Sequence, residues 1–114
     1  KRVMNFDMAH TDQEAMRVGM VSNCNDTVSR LEKITAELLK KEPELKRYKI
    51  SFGYDELKIK YSDYWPFVDG GSKAVAAWGS GCEEYHTYKD DTTNLNPESL
   101  QIEARILGSY ALAA

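Results

Sequence analysis

The chain contains two histidines, and each has a glutamate at a spacing that could serve metal or acid–base chemistry. Glu83 and His86 lie three residues apart, which on a helix places a carboxylate and an imidazole on one face, as in half of a carboxylate-bridged di-metal site. Glu14 follows His10, so His10, Glu14, Glu83 and His86 could form one mixed mononuclear site if the fold brings them together. Two isolated histidines are more typical of surface or hydrogen-bonded residues. We therefore predict no metal and no cofactor, and keep these four residues as weak metal-site candidates.

Cys82 belongs to a second candidate arrangement, in which it is a nucleophile and His86 is its base. A flexible Gly-Ser-Gly stretch precedes this cysteine, but Glu83 and Glu84 follow it. Adjacent carboxylates disfavour a thiolate, whereas a reactive cysteine needs positive charge or a helix N-terminus nearby. The sequence therefore favours an incidental or buried thiol. Whether Cys82 and Cys24 form a disulfide or remain two thiols is left open.

Aromatic residues are concentrated in the second half of the chain and suggest a binding surface. Exposed tyrosine and tryptophan side chains give large, stiff contact areas and are favoured at protein interfaces. A small domain also needs such rings in its core. We assign to partner binding the residues Tyr54, Tyr64, Trp65 and Tyr88.

Length and charge limit the class of protein. A chain of 114 residues with 42% hydrophobic and 29% charged residues fits one globular domain, here 1–114, with flexible ends predicted at 1–10 and 109–114. The net charge of -3 disfavours binding to nucleic acid. The longest apolar stretch is far shorter than a bilayer requires, so we predict no membrane span and a cytoplasmic location.

The N-terminal third has the pattern of a long amphipathic helix. Thr11 and Glu14 form a capping box that predicts a helix start. Apolar residues then recur at spacings of three and four as far as Leu39, which predicts one helix face. Asp26 could cap a second helix, so the pattern fits either one kinked helix or two helices. Pro43 predicts the stop.

Alternation with period two follows, which predicts strands. Residues 48–52 and 57–61 read as a β-hairpin joined by a turn at 53–56. Further irregular, aromatic-rich strands are expected at 74–78 and at 84–88, and a short helix over 72–78 is the alternative to the first of them. Asn96 and Pro97 predict the start of a C-terminal helix that ends near Gly108. We expect an α+β fold whose helices pack on one face of an antiparallel sheet.

The last five residues offer a signal of a different kind. The stretch Tyr110-Ala111-Leu112-Ala113-Ala114 resembles the end of the tag that bacterial tmRNA adds to stalled chains. The resemblance implies a C-terminal degradation signal read by an ATP-driven unfoldase-protease. The alternatives are that these residues finish the last helix or were added in cloning.

No convergent catalytic set is visible, so the sequence favours a small non-catalytic protein-binding module. An inhibitor, an immunity factor and an accessory or regulatory subunit are examples. The partner would be another protein or a second copy, docked on the helical seam. One alternative is a small enzyme or ligand-binding domain with a pocket near the aromatic segment 64–88. A short-lived regulatory protein is another.

Overall fold

The computed structural model describes residues 2–6, 16–54, 63–79 and 95–113. These residues form four strands, three α-helices and one short 3-10 helix. In chain order they are β1 (Arg2–Phe6), β2 (Arg17–Ser22), α1 (Asn25–Lys41), the 3-10 helix (Pro43–Arg47), β3 (Lys49–Tyr54), α2 (Trp65–Asp69), β4 (Lys73–Gly79) and α3 (Pro97–Ala113). No helix within these ranges is long and apolar enough to cross a bilayer.

The four strands form one mixed sheet with the order β1-β4-β2-β3. β1 runs parallel to β4, and β2 runs parallel to β3, whereas β2 and β4 are antiparallel. The prediction of an antiparallel sheet is therefore wrong. The Ser22 hydroxyl donates to the carbonyl of Ala74 at 2.7 Å, which ties the end of β2 to the start of β4.

The predicted long N-terminal helix is also wrong, because the described N-terminal residues form the strands β1 and β2. Val18, Met20 and Ser22 are buried at every second position, which is the period of a strand. Met16 and Met20 are four residues apart, so the same residues also fit a helix. Central strands covered on both faces lack a clear polar–apolar alternation, which explains the misreading. The capping box at Thr11 and Glu14 lies outside the described residues.

Helix α1 corresponds to the second half of the predicted helix. Its buried positions recur at the expected spacings of three and four and comprise Thr27, Leu31, Thr35 and Leu38. Lys40 and Lys41 lie in its last turn, where positive charge is favourable, and Pro43 begins the 3-10 helix just after it. β2, α1 and β3 therefore form a strand–helix–strand unit in which the two strands are parallel.

The hairpin prediction placed the first strand correctly at β3 but paired it wrongly. β3 pairs in parallel with β2, with Val18 opposite Ile50 and Met20 opposite Phe52. The second predicted hairpin strand, 57–61, lies outside the described residues, as does the predicted strand 84–88. β4 covers the predicted strand at 74–78 and excludes the helical alternative there.

Helices cover both faces of the sheet, so the prediction that they pack on one face is wrong. On the first face, α1, the 3-10 helix and α3 enclose the main core with β2, β3 and β4. On the second face, Tyr64, at the start of α2, packs with Ala74 and Ala76 of β4. Trp65 and Val68 of α2 lie against the same cluster. The small alanines of β4 allow close approach from both sides.

Helix α3 begins where the sequence predicts. The Asn96 side-chain carbonyl accepts hydrogen bonds from the backbone amides of Glu98 at 3.1 Å and Ser99 at 3.4 Å, which caps the helix. Its amide group donates to the Tyr48 hydroxyl at 2.9 Å. The helix continues past Gly108, and the buried Tyr110 hydroxyl shares a 2.9 Å hydrogen bond with Thr27 of α1. This anchor explains why the helix does not end at the glycine.

Candidate functional site

The strands β1 and β4 end at the same edge of the sheet. Their parallel register places Phe6 opposite Ala77, and β4 ends two residues later at Gly79. Because β2 is antiparallel to β4, with Val18 opposite Gly79, β2 begins at this edge. We call it the carboxyl edge of β1 and β4. In sheets of this kind, ligands bind beyond the carboxyl ends of parallel strands.

The histidine and glutamate candidates lie in the two sequence segments that follow these strand ends. His10 and Glu14 belong to residues 7–15, directly after β1, and Glu83 and His86 belong to residues 80–94, directly after β4. All four lie outside the described residues, as do Cys82 and Tyr88. The chain has two histidines, and the two sequence segments that contain them begin at the ends of neighbouring strands. Sequence reasoning could not find this relation because β1 and β4 are distant in the chain.

The aromatic candidates within the described residues do not share one environment. Tyr54, at the end of β3, is 51% exposed. Tyr64 is only 6% exposed, because it packs on Ala74 and Ala76. Trp65 is half-buried against the same cluster. The role of these residues in binding a partner stays a prediction.

The C-terminal pentapeptide is mostly part of α3. Tyr110 is buried, whereas Ala111, Leu112 and Ala113 are exposed on the last turn. Ala114 lies outside the described residues. The degradation signal also stays a prediction, although Tyr110 is held against Thr27 in this structure.

Two ionisable groups among the described residues have distinctive surroundings. Glu103 of α3 is fully buried, and burial raises the pKa of its carboxyl group to about 8. Cys24, a free thiol, is the N-cap residue of α1. A hydrogen bond from the backbone amide of Thr27 is the largest effect on this thiol and lowers its pKa. Burial raises the pKa and offsets part of this shift.

We expect Cys24 to react as a thiolate at lower pH in the native protein than in the unfolded chain, because helix α1 supplies its amides only when folded. The rate of alkylation by iodoacetamide should be followed against pH by mass spectrometry of the peptide that contains Cys24. The same measurement in urea is the reference, and the peptide that contains Cys82 is recorded in parallel. Equal midpoints in native and unfolded protein would contradict this expectation.

The described residues do not hold a metal-binding cluster: within 2–6, 16–54, 63–79 and 95–113, no three His, Cys, Asp or Glu side chains lie close enough to ligate one ion. His10, Glu14, Glu83 and His86 stay weak metal-site candidates on their residue types alone.

The mixed sheet is covered by helices on both faces, and histidine-containing segments follow two adjacent parallel strands. This layout is suited to an enzyme site at the strand ends. Comparison with known families agrees with this class: residues 1–111 match the model of Peptidase family M28. The chain belongs to this family. No curated protein and no solved structure matches it significantly.

The family match corrects the predicted function. A non-catalytic binding module, whether an inhibitor, an immunity factor or an accessory subunit, is the wrong class, because a match over nearly the whole chain indicates a peptidase. The expectation that the chain is not an enzyme is wrong for the same reason. That expectation rested on finding no group of catalytic residues in a recognisable sequence pattern. Catalytic residues that the fold brings together from distant segments leave no such pattern.

Proposed function

We propose that this chain hydrolyses peptide bonds at the carboxyl edge of β1 and β4. The observation that carries the proposal is the family match over residues 1–111. The parallel pairing of β1 with β4 supports the location, because the segments that contain both histidines of the chain begin at these two strand ends. The partner of this site is a peptide or protein substrate.

The residue types in these segments suit peptide hydrolysis. A glutamate carboxylate can take a proton from the water that attacks the carbonyl carbon. An imidazole can give a proton to the leaving amine, so that the C–O bond forms, the C–N bond breaks and the amine departs neutral. We assign the carboxylate role to Glu14 or Glu83 and the imidazole role to His10 or His86. Cys82 is the weaker candidate for a nucleophile, because two carboxylates, Glu83 and Glu84, follow it directly in the sequence.

Peptidase activity should be measured with a panel of fluorogenic aminoacyl and internally quenched peptide substrates. One variant of the pair Glu14→Gln and Glu83→Gln, and one of the pair His10→Ala and His86→Ala, is expected to lower kcat/KM by roughly 10²–10⁴-fold, the usual contribution of a positioned acid or base. Glu84→Gln is the matched control, because it removes the neighbouring carboxylate, and we expect its kcat/KM to change less than about threefold. Circular dichroism should show that every variant is folded.

Two further measurements separate the possible chemistries. Cys82→Ser should retain activity, and loss of activity in this variant would assign the reaction to the thiol. Metal content of the purified wild type and of His86→Ala, measured by mass spectrometry of the elements, tests ligation independently of activity. Undetectable hydrolysis of the whole panel by folded wild-type chain, with or without added divalent ions, would overturn the proposed function.

A further inference from the structure

Glu103 is a charged residue type placed where a charge is unfavourable. It lies in the middle of α3, next to Ile102 and close to Ile106 and Leu107 on the buried face of the helix. The whole side chain is inaccessible to solvent. Neither of its carboxylate oxygens has a hydrogen-bond partner among the described residues. Enclosed carboxylates without partners are rare, because the ionised form loses its hydration and receives nothing in return.

The described elements packed against α3 bring no buried charge to this position. Their buried residues on the α3 side of the sheet are uncharged: Thr27, Leu31, Thr35 and Leu38 from α1, Val18, Met20 and Ser22 from β2, and Val75 and Ala77 from β4. On α3 itself, Glu98 pairs with Arg47 and Arg105 pairs with Glu42, both at the exposed side. Burial accordingly raises the pKa of Glu103, and no described charge offsets this effect.

Helix α3 can separate from the described sheet without loss of any strand pairing. The pairings described for the sheet join only β1, β2, β3 and β4 to one another. Its polar contacts with the rest of the described fold include Asn96 with Tyr48 at its start, Tyr110 with Thr27 near its end, and two exposed ion pairs between them. Local opening of one helix costs less than global unfolding.

We propose that Glu103 is a proton-controlled latch: its neutral acid allows α3 to dock on the sheet, and its ionised carboxylate drives α3 away from the sheet while the remaining fold persists. The proposal does not depend on the peptidase activity. It concerns a conformational equilibrium between docked and released α3.

The sign of the pH dependence follows from proton linkage. Released Glu103 is hydrated and has the ordinary glutamate pKa of 4.5, whereas the docked residue has a pKa of about 8. Between these values the docked state binds one more proton than the released state, so docking is favoured at low pH and weakens as pH rises. The opening equilibrium constant is expected to rise nearly tenfold per pH unit between pH 5 and 8, and to level off above about pH 8.

Amide hydrogen exchange followed by mass spectrometry tests the latch in the intact chain. Exchange rates between pH 5 and 9 are corrected for the intrinsic pH dependence of amide exchange, and peptides from α3 are compared with peptides from α1. Corrected exchange in α3 should rise by a factor of about 10²–10³ across this range. Exchange in α1 should rise by less than tenfold. Equal increases in α1 and α3 would indicate global unfolding and overturn the latch.

Glu103→Gln and Glu103→Met remove the titration, so corrected exchange in α3 should become independent of pH. Glu37→Gln changes an exposed glutamate of α1 and is the matched control, which should keep the wild-type response. A persistent rise in α3 exchange in both Glu103 variants would contradict the proposal. If neither variant folds, carbon-13 NMR of the side-chain carboxyl groups in the wild type provides the test. A Glu103 midpoint near 4.5 overturns the latch, and a midpoint near 8 supports it.

Discussion

The Leu107→Ala variant is expected to lose about 2–5 kcal/mol of the free energy of unfolding, whereas Leu112→Ala should change it by less than about 0.5 kcal/mol. Both leucines lie in α3, but Leu107 is 0% exposed in the main core and Leu112 is 93% exposed on the last turn. The first substitution removes buried apolar surface and leaves a cavity between α3 and the sheet. The second removes a side chain that is already in water.

This pair of variants isolates burial from helix propensity, since the residue type, the substitution and the helix are the same. Urea denaturation followed by circular dichroism gives both free energies, and the slopes of the transitions should agree with that of the wild type. Measurement at pH 6 keeps Glu103 protonated in the docked helix. Similar losses in the two variants would mean that α3 is not packed as described.

Asn96→Ala is expected to cost about 1–3.5 kcal/mol of the free energy of unfolding, from two separate causes. The variant loses the cap that binds the amides of Glu98 and Ser99, and replacing an asparagine cap by alanine costs about 0.5–2 kcal/mol. It also removes the amide that donates to the Tyr48 hydroxyl. This hydroxyl keeps its hydrogen bond to the Glu98 carboxylate, so the second loss is that of one ordinary hydrogen bond, about 0.5–1.5 kcal/mol.

The two causes can be separated by a double-mutant cycle with Tyr48→Phe, because the coupling energy between the two positions reports the side-chain hydrogen bond. Asn25→Ala serves as the control: it removes an exposed asparagine from the first turn of α1, where no described side-chain cap exists. Denaturant midpoints of the four variants are compared at one pH. Additive effects at Asn96 and Tyr48 would rule out a stabilising contact between them.

The elements that the sequence predicted well are those defined by neighbouring residues. Asn96 and Pro97 marked the start of α3 because capping and proline chemistry act within one turn. Tyr48, Ile50 and Phe52 marked β3 by simple alternation. By contrast, Val18 and Met20 gave an ambiguous period, and only their position in the middle of a sheet covered on both faces makes β2 a strand.

The candidate site could not be predicted from neighbouring residues either, because its parts lie far apart in the chain. His10, Glu14, Glu83 and His86 were singled out by residue type, but the sequence contained nothing that joined the first pair to the second. That relation depends on the pairing of β1 with β4 across most of the chain. Glu103 was not singled out from the sequence, because its burial arises from packing that only the assembled fold provides.

The position of β4 has a consequence for how the chain folds. β2, α1 and β3 are consecutive, so they can assemble from local contacts as soon as residue 54 is available. β1, although it precedes β2 in the chain, has no described sheet neighbour until β4 is synthesised and inserts between β1 and β2. Until then β1 is an unpaired strand, and its Met4 and Phe6 side chains are exposed even in the folded structure. We expect arrival of β4 to limit the folding rate and to end the period in which the chain is most prone to aggregate.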